Sequence, residues 1–381
     1  MSLLAVGTGQ DSERGAPPAR PRLLGLGLGL PPGSVSQDEI AGRLAALWNL
    51  RGSELDRWHR IIAGAGIERR SVARPIEEVI HLSTAQRMGL FELDAPPLAA
   101  EACRAALRRT GVDVASVTDL VVVSCTGFSA PGIDVELVDA LGLQPTVRRL
   151  QVGYMGCFGA ITGLRAAAGA CAADPSAVAL LVCIELCGLH VRQDTSPQNL
   201  VASAIFGDGA AAAIVSGSRS PVLADDFVRR RSLDLGIGRG ASMLLPGRRD
   251  RMTWRITDEG FAMTLARQVP DLLRTSIGDL AGPVDPARQR LAVHPGGAAV
   301  LDAVDAGLAL GGGAGIDAAR GVLRELGNLS SPSVLFVLDR ILRGESGLPV
   351  QLMAFGPGLT IETLDLHPAR HRAQVMPRTD R

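Results

Sequence analysis

Cys157, His294 and Asn328 are the residues whose types and surroundings suit covalent chemistry. Cys157 lies in Gln-Val-Gly-Tyr-Met-Gly-Cys-Phe-Gly-Ala, residues 151–160, where an apolar run gives way to an Ala/Gly-rich helical stretch, 161–173. A thiol at a helix start faces unpaired N–H groups, which favour the nucleophilic thiolate. His294, in Ala-Val-His-Pro-Gly-Gly, and Asn328, in Leu-Gly-Asn-Leu-Ser-Ser, each stand at the end of an apolar segment. A Cys, a His and an Asn placed this way can supply a nucleophile, a base and oxyanion donors. Each also has a plain alternative: a space-filling thiol, a strand-end histidine, a turn-forming asparagine beside Gly327.

The elements that must position these residues alternate. Residues 23–30 read as a strand, and Ser36-Gln-Asp-Glu39 opens a helix with a capping-box pattern. Residues 98–109 read as an amphipathic helix, and 119–124 as a strand buried on both faces. Helix and strand patterns then alternate to Val215, which implies parallel βαβ units. A second block begins near Pro221. It has a Gly/Arg-rich loop at 236–251, a helix over 260–277, a strand ending at His294, and last strands around 350–355 and 359–364. The expected organisation is a tail at 1–20, halves at 21–220 and 221–366, and a loose tail at 367–381. Phe206-Gly-Asp-Gly and Phe355-Gly-Pro-Gly each precede a final apolar run, which hints at an internal duplication.

Composition excludes several kinds of chemistry. The 381 residues have 39 basic and 39 acidic side chains, and none is lysine. Schiff-base catalysis and Lys-dependent phosphate loops are therefore ruled out. Balanced charge and 3% aromatics argue against a nucleic-acid binder. The six cysteines lie mostly in apolar surroundings, and Cys183 and Cys187 lack the second pair that a zinc site needs. No metal is expected. No apolar run reaches membrane-spanning length and no secretory signal opens the chain, so a cytoplasmic protein is expected.

Six ordered motifs go further. They are Ser-Cys-Thr-Gly-Phe-Ser-Ala-Pro-Gly (124–132), Met-Gly-Cys-Phe-Gly-Ala (155–160), Phe-Gly-Asp-Gly-Ala-Ala (206–211), Val-His-Pro-Gly-Gly (293–297), Gly-Asn-Leu-Ser-Ser (327–331) and Phe-Gly-Pro-Gly-Leu-Thr-Ile-Glu (355–362). With them the chain resembles the type III polyketide synthases, the chalcone-synthase-like branch of the thiolase superfamily, over about 23–366. The resemblance implies an α/β, five-layer αβαβα thiolase-like fold with two pseudo-symmetric halves, and a homodimer. It implies a Cys157–His294–Asn328 triad, acyl-CoA and malonyl-CoA substrates, and no metal or redox cofactor. Such enzymes condense malonyl units onto a Cys-bound starter and cyclise the chain to a pyrone or a phenol.

The same resemblance places Cys125, Thr126, His190, Phe206, Trp254, Met263, Ser330, Gly356 and Pro357 around the substrate pocket. It places Arg57 and Arg60 at the coenzyme A mouth, where a guanidinium pairs with phosphate. Met263 stands where the family usually has a second gatekeeper phenylalanine opposite Phe206. Trp254 replaces a small residue. The runner-up is an initiating β-ketoacyl-acyl-carrier-protein synthase, which shares the triad but condenses once. The non-enzyme alternative is a catalytically inactive scaffold on the same fold.

Overall fold

A computed structural model describes residues 20–312, 315–344 and 347–368. Its strands, in chain order, are β1 Arg22–Gly29, β2 Gly33–Ser36, β3 Arg69–Val72, β4 Asp119–Ser124, β5 Arg148–Gly153, β6 Val178–Leu186, β7 Asp208–Ser216, β8 Leu235–Leu244, β9 Met252–Thr257, β10 Gly260–Leu265, β11 Arg290–Val293, β12 Val350–Gly356 and β13 Thr360–Pro368. Nine of them make one mixed sheet in the order β11-β12-β13-β8-β1-β7-β6-β4-β5.

The sheet repeats itself. β4 runs parallel to β6, β6 antiparallel to β7, and β7 antiparallel to β1. The series β11, β12, β13, β8 has the same senses. The two Gly turns noted in the sequence lead into β7 and β13, which are equivalent strands. The half-sheets join where β1 and β8 pair through only Arg22↔Gly236 and Leu23↔Leu235.

Two central helices lie between the half-sheets. Gly159–Ala173 packs on β4, β6 and β7 from one side and on β12 and β13 from the other, and Ser333–Gly344 bridges β1 and β7 to β11 and β12. Thr84–Thr110 covers β1, β6 and β7 on the outside, and Val269–Ala281 covers β8 and β13. This is the five-layer αβαβα arrangement. Contrary to expectation, one stretch, Gly156–Ala173, has the length and apolarity to cross a membrane. Its composition reflects its place in the central layer: a Cβ on Gly163 would come within 2.7 Å of Leu181 and Val123.

Several elements differ from the sequence reading. The Gly/Arg-rich segment at 236–251 is mostly β8, whose glycines make room for neighbours; a Cβ on Gly240 would meet Arg165 Cδ at 3.1 Å. The helix expected over 260–277 is two elements. Gly260–Leu265 pairs with β9 as a hairpin, and the helix begins only at Val269, with a proline in its first turn. Ser36 caps its helix, but Glu39 turns to Arg43 instead of back to the cap. The complete reciprocal box is Ser83 with Gln86, opening the 27-residue helix that contains 98–109. β13 extends through His367 and Pro368, which the sequence assigned to the loose tail. Residues 1–19 and 369–381 lie outside the described residues.

Candidate active site

Cys157 sits in a single 3-10 turn, Gly156–Phe158, between the end of β5 and the central helix Gly159–Ala173. Its turn interlocks with the second Gly turn. Gly156, at φ +69°, has Pro357 against it, so that an added Cβ would lie 2.6 Å from Pro357 Cδ. A Cβ added to Gly356 would likewise lie 2.5 Å from Phe158 Cδ1. Glycine at both positions lets the two halves meet at the thiol.

His294 continues β11, donating its N–H to Met353 O at 2.7 Å. It is 1% exposed, and neither ring nitrogen has a hydrogen-bond partner among the described residues. Asn328 follows the helix Ile316–Leu326. Its backbone bridges to the first half: its N–H donates to Ile205 O at 2.8 Å, and Gly207 N–H donates to its carbonyl at 2.9 Å. Its Oδ1 accepts from Ser330 N–H at 2.8 Å, so Nδ2 is the free donor side, reaching Gly296 O only at 3.4 Å. Cys157, His294 and Asn328 line one chamber of about 20 Å³, room for a single water.

Burial sets the protonation states. It pushes the Cys157 thiol up to about 12; hydrogen bonding from Ser330 lowers it, the Glu185 charge raises it, and Asn328 lowers it again. It pushes His294 down to about 3. Burial thus favours the uncharged forms, thiol and neutral imidazole, at both residues. The expected preference of a helix start for thiolate is outweighed by desolvation.

Glu185, near the end of β6, was not singled out in the sequence. It is fully buried and accepts from Ser331 Oγ at 2.5 Å, Thr126 Oγ1 at 2.7 Å and Cys125 N–H at 3.0 Å. Burial raises its pKa, and those hydrogen bonds oppose the rise. The signal was there: one carboxylate in the otherwise apolar run Val-Ala-Leu-Leu-Val-Cys-Ile-Glu-Leu. Ser330 Oγ stands 3.6 Å from Cys157 Sγ and 3.7 Å from Cys125 Sγ.

A larger cavity, about 90 Å³, adjoins the chamber. Cys125, Thr126, His190, Phe206, Trp254, Met263, Ser330 and Pro357 all line it. Gly356 does not; it packs behind Phe158. Phe206 and Met263 line both spaces and stand between them. Cys187 and Phe261 also line the cavity and were missed. Phe261 stacks between His190, at 3.9 Å, and Trp254, at 4.8 Å, and Trp254 contacts Tyr154 at 5.8 Å. Arg57 and Arg60 are not in the cavity. They are exposed on the helix Gly52–Ala63, which packs against Pro197–Ile205, a helix whose other residues reach the cavity wall. Among the described residues no group of three or more His, Cys, Asp or Glu is arranged to hold a metal.

The chain matches the chalcone and stilbene synthase models, the N-terminal domain over residues 72–219 and the C-terminal domain over 237–369. It is 34% identical over 344 residues to the 1,3,6,8-tetrahydroxynaphthalene synthase of Streptomyces peucetius subsp. caesius, covering 87% of this chain and 89% of that one. It is 32% identical to the bisdemethoxycurcumin synthase of Oryza sativa subsp. japonica, covering 92% of each. Among solved structures, PKS-I of the brown alga Ectocarpus siliculosus matches with a TM-score of 0.82 at 27% identity, over 92% of this chain and 98% of that one. The type III polyketide synthase domain of Steely1 from Dictyostelium matches with a TM-score of 0.83, also at 27% identity, over 92% and 99%. With both domain models matched across the two halves that meet at Cys157, the chain belongs to the chalcone and stilbene synthase family and is a type III polyketide synthase, an acyltransferase.

Proposed function

We propose that Cys157 carries the growing chain, that His294 handles its proton, and that His294 and Asn328 together hold the oxyanion. The observation that carries this reading is the shared chamber, where a neutral imidazole and an amide donor flank the thiol. Because the resting pair is neutral, His294 takes the thiol proton as Cys157 Sγ adds to the acyl-CoA carbonyl. The proton then leaves with the coenzyme A thiolate. Protein and acyl group are left as a thioester, and the imidazole is neutral again.

Malonyl-CoA next loses CO₂, and negative charge develops on its thioester oxygen. Asn328 Nδ2 and a protonated His294 nitrogen are the two donors for that charge. Removing one such donor typically costs ~10²–10³ in rate. The enolate carbon attacks the acyl-Cys157 carbonyl and expels the thiolate, and repetition lengthens the chain. Decarboxylation supplies the carbanion, so this route calls on no metal and no redox cofactor.

The 90 Å³ cavity and its aromatic wall favour a short acyl starter, or malonyl itself, and a compact pyrone or phenolic product. The likeness to a tetrahydroxynaphthalene synthase supports the phenol. Arg57 and Arg60, exposed and without ion-pair partners among the described residues, suit coenzyme A phosphates. A homodimer is supported by β5, an edge strand of the sheet that exposes Leu150 at 47%, and by Tyr154 just after it and Phe128 in the segment after β4, at 54% and 61% exposure. The test is product mass spectrometry with malonyl-CoA alone and with acyl-CoAs of rising length. Failure to form any polyketide from the whole panel would sink the reading.

A further inference from the structure

The helix Pro197–Ile205 ends inside the protein, so the carbonyls that a helix leaves unpaired at its C-terminus need partners other than bulk water. Each has one. Ser203 O and Phe206 O both accept from Arg70 Nη1, at 2.5 and 3.0 Å. Ala204 O accepts from Gln37 Nε2 at 2.8 Å, and Ile205 O from Asn328 N–H at 2.8 Å. Arg70 and Gln37 are each 3% exposed. Burial lowers the Arg70 pKa to about 10 while Asp208 opposes the fall, so the guanidinium stays charged at neutral pH. A cation here also meets the negative end of the helix dipole.

The Phe206 carbonyl and the Gly207 N–H belong to one peptide plane. Arg70 grips its oxygen, and its N–H donates to Asn328 O at 2.9 Å. The Asn328 backbone is therefore held on both sides by peptides at the end of the helix that Arg70 and Gln37 cap. Packing leaves little slack. A Cβ on Gly327, at φ +76°, would lie 2.9 Å from Ile205 O and 3.1 Å from Arg70 Cγ. Among the described residues Arg70 Nε and Nη2 have no partners, and the hydrogen bonds of this buried side chain go to Ser203 and Phe206.

We propose that Arg70, seconded by Gln37, is a positioning residue for the active site: it fixes the Phe206–Gly207 peptide from which the Asn328 backbone hangs, and through it the placement of the Asn328 amide. The proposal rests on the reading of Asn328 as an oxyanion donor. It makes a specific demand, that loss of Arg70 harms malonyl-CoA decarboxylation more than the loading of Cys157.

CO₂ release from malonyl-CoA and acylation of Cys157, the latter by intact-protein mass, are measured per folded molecule in Arg70→Gln, Asn328→Ala and the double variant. Arg70→Gln is expected to slow decarboxylation by ~10–10²-fold, the scale of an ångström-sized misplacement, and to leave acylation largely intact. In the Asn328→Ala background the same substitution is expected to add no more than about twofold, within the error of additivity. Arg70→Lys, which keeps a cation at these carbonyls, should recover part of the loss. Should Arg70→Gln not fold, Gln37→Leu carries the same cycle and must show the same selective sign. Equal loss in both steps, or a full second loss on top of Asn328→Ala, would overturn the proposal. Normal decarboxylation in Asn328→Ala alone would instead overturn the donor reading, and the positioning role with it.

Discussion

His190 and Phe261 are joined twice: their rings stack at 3.9 Å and 11°, and the Phe261 N–H donates to His190 Nδ1 at 3.2 Å. The other ring nitrogen, Nε2, lies 2.7 Å from Thr126 O and so carries the proton. Both nitrogens are committed, and burial lowers the pKa to about 4. His190 ties the β9–β10 hairpin to the segment that carries Cys125 and Thr126, and is a strut at neutral pH.

His190→Leu should therefore leave the Phe261 N–H and the Thr126 carbonyl without their partner. An unsatisfied buried group costs about 1–3 kcal/mol, so the melting temperature should fall. The wall formed by Phe261 and Trp254 should loosen, and the spread of product masses should widen. An unchanged melting temperature with an unchanged product pattern would contradict the strut.

The glycine turns that carry Cys157, His294 and Asn328 at the ends of apolar segments were legible in the sequence, whereas their grouping as a triad came from the resemblance. Phe206, Trp254 and Met263 were assigned to the pocket by the resemblance, and of the three only Phe206 lies within one of the six motifs. β8 was misread because glycine and arginine suggest a loop, whereas here Gly240 makes room for Arg165; β10 was absorbed into the helix read over 260–277, which begins only at Val269. Glu185 and Arg70 escaped because their partners are remote. Arg70 meets Ser203 and Phe206, 133 and 136 residues away. No local pattern announces such a contact; only a charge inside an apolar run hints that a partner exists.

Acid should expose the buried state of His294. Its folded pKa, about 3, lies below the ordinary 6.5. Above pH 6.5 neither state binds the proton. Between 6.5 and 3 the unfolded chain takes up a proton that the folded chain refuses, so stability is lost as pH falls, by at most ~1.4 kcal/mol per pH unit for one group. The loss levels off below pH 3. His294→Asn should remove this contribution. Urea unfolding at pH 7, 6 and 5 is the measurement, and equal pH slopes in both proteins would mean that His294 is not buried neutral. Asp208, raised to about 6, acts in the opposite sense but is common to both proteins.

Cys157→Ser should abolish condensation. A serine hydroxyl is a weaker nucleophile than a thiol and needs a strong base to activate it. His294 has no partner on either ring nitrogen among the described residues, so no third group there orients and strengthens it for that task. Product formation by the variant near the wild-type rate would remove Cys157 from its assigned role.

Asn328→Ala should slow malonyl-CoA decarboxylation by ~10²–10³ if the amide is one of two oxyanion donors. Acylation of Cys157 should survive better, because it depends also on the nucleophile. Separate measurement of CO₂ and acyl-enzyme decides the matter, and identical losses in the two steps would contradict the division of labour.

The gate can be tested from both of its strands. Met263 and Trp254 pair directly across the β9–β10 hairpin, so their side chains share a face. That face is the cavity side, which both residues line, and Met263 also reaches the triad chamber opposite Phe206. A thioether chain can change rotamer to admit a chain, whereas a phenylalanine ring is wide and stiff. Met263→Phe should therefore discriminate against long acyl starters more than short ones. The effect should be modest, because one or two methylenes of misfit are worth ~1–3 kcal/mol in an apolar pocket. Trp254→Gly should act in the opposite sense, since it removes a ring held between Tyr154 and Phe261 and opens the wall. The measured quantity is the ratio of kcat/KM for a long acyl-CoA over a short one. If neither substitution moved that ratio, Met263 and Trp254 would not border the acyl path, whatever the fate of the triad assignment.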